Sequence, residues 1–292
     1  MTIPWWRGWA PLIALPTAIL AAYPHSAPRW VLMWAIALAL YFGCKWLTWR
    51  RTSVAGIPAW RHAAYLLAWP GMDAQAFLSA QRTPVSRPRW PEWSFACAKL
   101  LLGIVLLFGV ARLVPADYPL VAGWVGLAGI VFFIHFGVFH LLSCAWCAVG
   151  IEARPLMHWP LAAASLADFW GRRWNTAFRD LVYRFAFRPL HRRLSVGWAT
   201  MITFLASGLI HDLVISVPAG GGFGLPTLYF GLHGAALLAE RDRATSHAGR
   251  AYPWLGRSTA AFVCIAPAAL LFHRPFIEGV VLPMLHAWRA LP

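Results

Sequence analysis

The chain has 292 residues, of which 60% are hydrophobic and only 12% are charged, with 19 tryptophans and a formal net charge of +15. In soluble domains about a quarter of all residues are charged. This composition therefore excludes an ordinary soluble protein and predicts a polytopic integral membrane protein. The positive charge lies in the connections between apolar segments and not on one basic face, which argues against a nucleic-acid partner.

Apolar segments that approach the length needed to cross a bilayer recur along the whole chain. We expect an all-α fold with about seven to eight transmembrane helices, in one domain over residues 1–292. The first span, at about 5–23, is expected to stay uncleaved. The spans that follow are expected at about 30–49, 96–114, 120–149, 196–218, 225–240 and 258–273, with a short eighth at about 276–288. The span at 120–149 is long, which predicts a tilt, a kink near Gly137 or a continuation past the membrane edge.

Two connecting regions are more polar than the spans. Residues 50–92 contain the short apolar piece AAYLLAWPGM, which is expected to form a re-entrant or interfacial helix that stops at Pro70 and Gly71. Residues 155–193 mix aromatic side chains with arginines and are expected to lie along the membrane face. Most arginines fall in residues 50–95, 150–196 and 241–257, whereas 115–119 and 218–224 contain none. This asymmetry predicts a cytoplasmic N-terminus.

The cysteines and most of the histidines predict no functional cluster. Five cysteines lie in or beside apolar segments and suggest no disulfide framework, and no spacing suggests a metal site. We expect His135, His140, His233 and His273 to be packing or interfacial residues.

His211 is the residue whose position most needs an explanation, because it lies well inside a predicted span. Ionisable groups at membrane depth are expensive and usually mark functional sites. Ser207 lies four residues earlier and therefore on the same helix face, whereas Asp212 is turned about 100° away and is left to bond another segment or to lie at the exit surface. A neutral imidazole is the usual base for taking a hydroxyl proton at neutral pH. The alternative is a core histidine with satisfied hydrogen bonds.

The segment FWGRRWN, from Phe169 to Asn175, followed by SGLIHD, from Ser207 to Asp212, resembles the wax synthase branch of the membrane-bound O-acyltransferase superfamily. The pieces WPGMD and HFGVFHLL resemble its bacterial members, and the likeness extends over about residues 65–283. This resemblance implies acyl transfer from acyl-CoA to a hydroxyl, with His211 as general base and Asn175 as its companion. Acyl-CoA is then a co-substrate, no cofactor or metal is bound, and the protein lies in a bacterial inner membrane.

The other candidate residues surround these two motifs. Arg172, Arg173 and Arg179 are candidates for binding the phosphates of CoA, and the alternative is that they only set the membrane topology. Trp170 and Trp174, four residues apart, are expected to share a helix face and to line the substrate entrance, or to be interfacial anchors. Phe169 and Ser207 complete the predicted substrate-binding set.

The hydroxyl acceptor has several candidates. A long-chain alcohol, giving a wax ester, is the acceptor that we expect. A glycerolipid, a sugar or a secondary metabolite is the alternative within the same chemistry. A non-enzymatic lipid-binding or transport protein is the alternative from another class.

Overall fold

A computed structural model of the chain describes residues 6–24, 26–79, 85–245 and 253–292. The helices are α1 (Trp6–Ala22), α2 (Arg29–Arg50), α3 (Ala59–Ala68), α4 (Ala74–Leu78), α5 (Trp90–Leu113), α6 (Pro119–Ala148), α7 (Leu166–Asp168), α8 (Thr176–Val182), α9 (Arg188–His191), α10 (Val196–Ala219), α11 (Leu225–Thr245), α12 (Pro253–Ile265), α13 (Ala268–Leu271), α14 (Arg274–Phe276) and α15 (Leu282–Ala287). Segments of π-helix lie at Leu106–Val110, Val131–Val138, Phe169–Arg173, Tyr183–Phe187, Asp212–Ser216 and Ile277–Val281. These described residues contain no strand, so the all-α prediction is confirmed.

Four helices are long and apolar enough to cross a membrane, namely α2, α5, α6 and α10. A fifth span results if Gly256–Leu271 and Arg274–Ala287 are counted as one bent span, so the expected seven to eight spans are not confirmed. Two of the expected spans are not among these helices for a physical reason. Helix α1 has 17 residues and two internal prolines, and the last turns of α11 carry Glu240, Arg241 and Asp242. Residues 246–252, in the polar connection after α11, lie outside the described part of the chain.

The short connection between α3 and α4 is fastened to α2 by a buried lysine. Helix α3 ends just before Trp69 and Pro70, as the proline and glycine predict. Lys45 is fully buried, donates to the carbonyl of Gly71 at 2.7 Å and lies 3.2 Å from the ring centroid of Tyr65. A buried lysine head group needs such a partner because a polar group taken out of water without a hydrogen bond is costly. The interfacial position of α3 and α4 stays a prediction.

Helices α5 and α6 approach so closely that only glycine fits at their contacts. A Cβ on Gly103 would lie 2.4 Å from the backbone nitrogen of Phe133, and one on Gly137 would lie 2.7 Å from the Cα of Leu100. Small residues allow this backbone approach between membrane helices. Gly137 belongs to the π-helical segment Val131–Val138, so the long span changes its helical geometry at the place where a kink is predicted.

The chain divides into two compact units, residues 1–156 with 280–292, and residues 157–279. Every candidate site residue named above falls in the second unit. The assignment of residues 1–292 to one domain stays a prediction. Residues 157–193 of the second unit form short helical pieces joined by turns, and their position along the membrane face also stays a prediction.

We predict that Gly103→Ala lowers the melting temperature of the detergent-purified protein by at least about 2 °C, because overpacking costs about 1–3 kcal/mol. Gly109→Ala is the matched control, since the nearest atom to its added Cβ is 3.9 Å away. Differential scanning fluorimetry measures both variants. Equal melting temperatures for the two variants would contradict the close contact between α5 and α6.

Candidate active site

His211 lies near the end of the regular part of α10, immediately before the π-helical segment Asp212–Ser216. Its Nδ1 lies 2.7 Å from the backbone carbonyl oxygen of Ser207. A carbonyl oxygen only accepts hydrogen bonds, so Nδ1 carries the proton and, in the neutral ring, Nε2 keeps its lone pair. The side chain is therefore held in the tautomer that can take a proton through Nε2.

Ser207 faces His211 along α10, as its spacing predicts, but it contacts the ring with its backbone. The Ser207 hydroxyl donates instead to the carbonyl of Thr203 at 3.0 Å. This bond back to the preceding turn is common for serine inside a helix. The contact that fixes His211 is therefore a main-chain carbonyl, which any residue at position 207 can supply.

Phe230 on α11 forms the wall beside the His211 ring. The two ring centroids are 4.4 Å apart, and the Phe230 ring also lies 5.9 Å from Trp170. Helices α10 and α11 meet closely here, because a Cβ on Gly208 would lie 2.6 Å from the Cα of Thr227. Phe230 thus joins the histidine to the aromatic block upstream, and no pattern in the sequence singled it out.

Trp170 connects the FWGRRWN block to α11 by a hydrogen bond. Its indole N–H donates to Nδ1 of His233 at 3.0 Å, and its ring packs edge-on against Phe204. His233 is fully buried and also packs on Tyr229, with ring centroids 4.2 Å apart. His233 is therefore the packing residue that was expected, with the additional role of orienting Trp170.

The prediction that Trp170 and Trp174 share a helix face is wrong. The π-helical segment ends at Arg173, and Trp174 has extended backbone angles of φ −98° and ψ 124°. Its ring instead stacks on Phe169, with centroids 5.6 Å apart and planes 11° from parallel. The wider π-helical turn and the reversal at Asn175 remove the regular four-residue spacing.

Asn175 adopts a left-handed backbone conformation, with φ 41° and ψ 60°, at the N-cap of α8. Asparagine tolerates this region better than most residues. Its side-chain oxygen accepts from the backbone N–H of Phe178 at 3.4 Å. The backbone N–H of Asn175 donates to the sulfur of Met157 at 3.1 Å. None of the hydrogen bonds described for Asn175 reaches His211.

The two arginines of the FWGRRWN block share one buried carboxylate but differ in exposure. Asp168 accepts from Nε of Arg172 at 2.9 Å and from Nε of Arg173 at 2.6 Å. Burial acts to raise the pKa of Asp168, but the N–H of Ala164 and the guanidinium of Arg173 outweigh it and hold the pKa below its usual value.

Arg173 also donates to the carbonyls of His158 and Trp159, and its side chain is 28% exposed, against 77% for Arg172. Arg173 therefore ties its loop together, whereas Arg172 presents its guanidinium to the surface. Arg179 donates to the carbonyl of Gly171 at 2.6 Å and pairs with Asp180 at 2.7 Å. Within the described part of the chain, no group of three His, Cys, Asp or Glu side chains is placed to hold a metal ion.

Comparison with known proteins points to the segment that contains the FWGRRWN block and His211. Residues 153–230 match the membrane bound O-acyl transferase family. The chain is 30% identical over 149 residues to a probable long-chain-alcohol O-fatty-acyltransferase 9 of Arabidopsis thaliana, covering 47% of this chain and 43% of the relative. It is 33% identical over 143 residues to a probable long-chain-alcohol O-fatty-acyltransferase 7 of Arabidopsis thaliana. That match covers 42% of this chain and 40% of the relative.

A long-chain-alcohol O-fatty-acyltransferase of Simmondsia chinensis is 35% identical over 77 residues, covering 24% of this chain and 22% of that protein. Each of these matches spans less than half of the relative's own length. Together they confirm the resemblance to the wax synthase branch of the superfamily. The family match contains both sequence motifs and ends at Phe230, the residue that packs on His211.

Proposed function

We propose that the protein is a membrane-bound O-acyltransferase that transfers an acyl group from acyl-CoA to a long-chain alcohol, with His211 as general base. The observation that carries this proposal is the hydrogen bond from Nδ1 of His211 to the Ser207 carbonyl, which leaves Nε2 as the acceptor inside an apolar helix. The names of the similar plant proteins support a long-chain alcohol as acceptor. Acyl-CoA as donor rests on the family resemblance.

The reaction needs one proton to move twice. Nε2 of His211 takes the alcohol proton as the alcohol oxygen attacks the thioester carbonyl. The carbon–sulfur bond then breaks, and the imidazolium returns the proton to the departing CoA thiolate. The ester and free CoA leave with the histidine neutral again. Because a thiolate leaves readily, no covalent acyl-enzyme is required.

The apolar surroundings of His211 suit two substrates with long alkyl chains. Phe230 packs on the ring, and Trp170 also lies against Phe230. Aromatic walls of this kind bury alkyl chains and keep water away from the thioester, so that the alcohol competes successfully with hydrolysis. Phe169 and Trp174, stacked on each other, extend the same aromatic block.

Asn175 and the exposed arginines are assigned supporting roles in this proposal. Asn175 orients the acceptor or stabilises charge on the reacting oxygen, since an amide cannot take the proton. Arg172 and Arg179 contact the phosphates of CoA, with Arg172 favoured by its exposure. The cytoplasmic N-terminus and the bacterial inner membrane stay predictions that rest on the distribution of arginine and on the resemblance.

We predict that His211→Ala lowers kcat by at least about 100-fold while acyl-CoA still binds, because a positioned general base contributes about 100- to 10,000-fold. His191→Ala is the control, since His191 is exposed and lies outside the proposed site. Ester formation at saturating substrates measures kcat, and retention on immobilised CoA measures binding. More than about a tenth of wild-type turnover in His211→Ala would make this histidine structural.

We predict that Arg172→Ala raises the KM for acyl-CoA by about tenfold, with little change in the KM for the alcohol, because a hydrogen bond to a charged group contributes about 1.5–3 kcal/mol. Arg192→Ala removes an equal charge from the same basic segment and is the control. Arg173→Ala is expected to lower the melting temperature, since it leaves Asp168 with one fewer partner. An unchanged KM for acyl-CoA in Arg172→Ala would contradict phosphate binding and would leave Arg172 with a role in membrane topology only.

We predict that Asn175→Gly lowers kcat by about tenfold or more, because removing one hydrogen-bond donor from a reacting oxygen costs about 100-fold at the best-studied sites. Glycine keeps the left-handed backbone at position 175, so the loss reports the amide and not strain. Asn175→Ala adds the backbone strain and is expected to melt at a lower temperature. An Asn175→Gly variant within twofold of wild-type kcat would leave Asn175 as a helix cap.

A further inference from the structure

We propose that Asp212, Ser216 and His273 form a hydrogen-bonded chain that positions His211 for acyl transfer, an inference that rests on the proposed function. Asp212 follows His211 directly, at the start of the π-helical segment of α10. Ser216 is the last residue of that segment, and His273 lies immediately before α14. None of these residues needs to touch a substrate, so each is a positioning residue.

The carboxylate of Asp212 is fully occupied by donors from α10 itself and from the chain that follows it. Its Oδ1 accepts from Ser216 Oγ and from the N–H of Gly224, both at 2.8 Å. Its Oδ2 accepts from the N–H of Thr227 at 3.1 Å and from the Thr227 hydroxyl. Four donors in this arrangement require an acceptor-only, ionised carboxylate. Asp212 therefore fastens the glycine loop, which is the AGGGFG segment at residues 219–224, and the first turn of α11 to α10.

The direction of the hydrogen bonds excludes a nucleophilic serine. Nδ1 of His273 faces the N–H of Phe276 at 3.3 Å, so Nδ1 is the acceptor and Nε2 carries the proton in the neutral ring. Nε2 lies 3.2 Å from Ser216 Oγ and donates to it, while the serine hydroxyl donates to Asp212 at 2.8 Å and lies 3.3 Å from the carbonyl oxygen of Gly222. A catalytic triad needs the histidine to accept the serine proton, which is the opposite direction.

The imidazole of His273 also holds the glycine loop in place. The side chain is 2% exposed, and a Cβ on Gly222 would lie 2.4 Å from the His273 ring. Gly222 has φ +73°, so this position favours glycine for its backbone conformation as well as for the space. The loop is thus fixed between Asp212 on one side and His273 on the other.

The hydrogen-bonded chain acts on His211 through α11. Thr227 and Phe230 are three residues apart on that helix and so lie on one face. Asp212 holds Thr227, Gly208 lets the two backbones approach there, and Phe230 packs on the His211 ring at 4.4 Å. The bond to the Ser207 carbonyl fixes one ring nitrogen, and Phe230 limits rotation of the rest of the ring. Releasing Asp212 frees α11 to shift and the ring to turn.

The test compares Asp212→Asn with wild type and with Asp117→Asn, which removes the same charge from an exposed turn. An amide in place of the carboxylate turns its NH2 toward one of the two donor pairs and breaks that side of the network. We expect kcat to fall by tenfold or more in Asp212→Asn, with the KM for acyl-CoA within twofold of wild type. The Asp117→Asn control should match wild type in both constants. An Asp212→Asn kcat within twofold of wild type would overturn the proposal.

A second pair of variants keeps the test valid if Asp212→Asn folds poorly. Thr227→Val is isosteric but loses the hydroxyl donor, whereas Thr227→Ser keeps both bonds to Asp212. We expect kcat to fall by about threefold or more in the valine variant and to stay within twofold of wild type in the serine variant. Equal kcat values for Thr227→Val and Thr227→Ser would contradict positioning through Asp212.

Solid-state NMR of protein labelled with ¹⁵N-histidine separates this proposal from the proposed function, because it needs no turnover. Difference spectra against His211→Gln and His273→Gln assign the two rings. We expect an Nδ1–H tautomer for His211 and an Nε2–H tautomer for His273, and a shifted or broadened His211 signal in Asp212→Asn. An unchanged His211 signal would overturn the positioning chain even if wild type makes ester. Absence of ester with the expected spectra would instead overturn the proposed function alone.

Discussion

The hydrogen bond between His211 and the carbonyl of Ser207 is the constraint on which the proposed site depends. In an apolar helix an imidazole has no water to satisfy its nitrogens, so the helix must supply a partner. The carbonyl one turn back does so at 2.7 Å and, in doing so, selects the tautomer with a free Nε2. The same bond that makes the residue tolerable at membrane depth therefore also makes it chemically useful.

Around this bond the second unit places two supporting layers. One is aromatic, in which Phe230 contacts both the His211 ring and Trp170, and Trp170 donates a hydrogen bond to His233. The other is polar, in which Asp212 gathers donors from the glycine loop and α11. The two layers act on the same pair of helices, α10 and α11.

The sequence alone predicted that His211 lies inside an apolar helix, that Ser207 shares its helix face, and that the fold is all-α. Each of these depends on local periodicity or on the cost of polar groups in lipid. It missed what depends on distant partners. Thr227 lies 15 residues from Asp212 and His273 lies 57 from Ser216, so no local pattern joins them. The wrong prediction for Trp174 has a local cause, a π-helical turn, and two of the unconfirmed spans, α1 and α11, contain prolines or charges.

The measurement that tests the account most directly is an assay of the purified protein with acyl-CoA donors of several chain lengths and separate acceptors: long-chain alcohols, a diacylglycerol and a sugar. Ester is followed by mass spectrometry and free CoA by its thiol. The account predicts ester and thiol in a one-to-one ratio with the long-chain alcohols, and little of either with the other acceptors. Ester formation only on the glycerolipid or the sugar would contradict the proposed acceptor. Acyl-CoA binding without any thiol release would contradict acyl transfer itself and indicate a binding or transport protein.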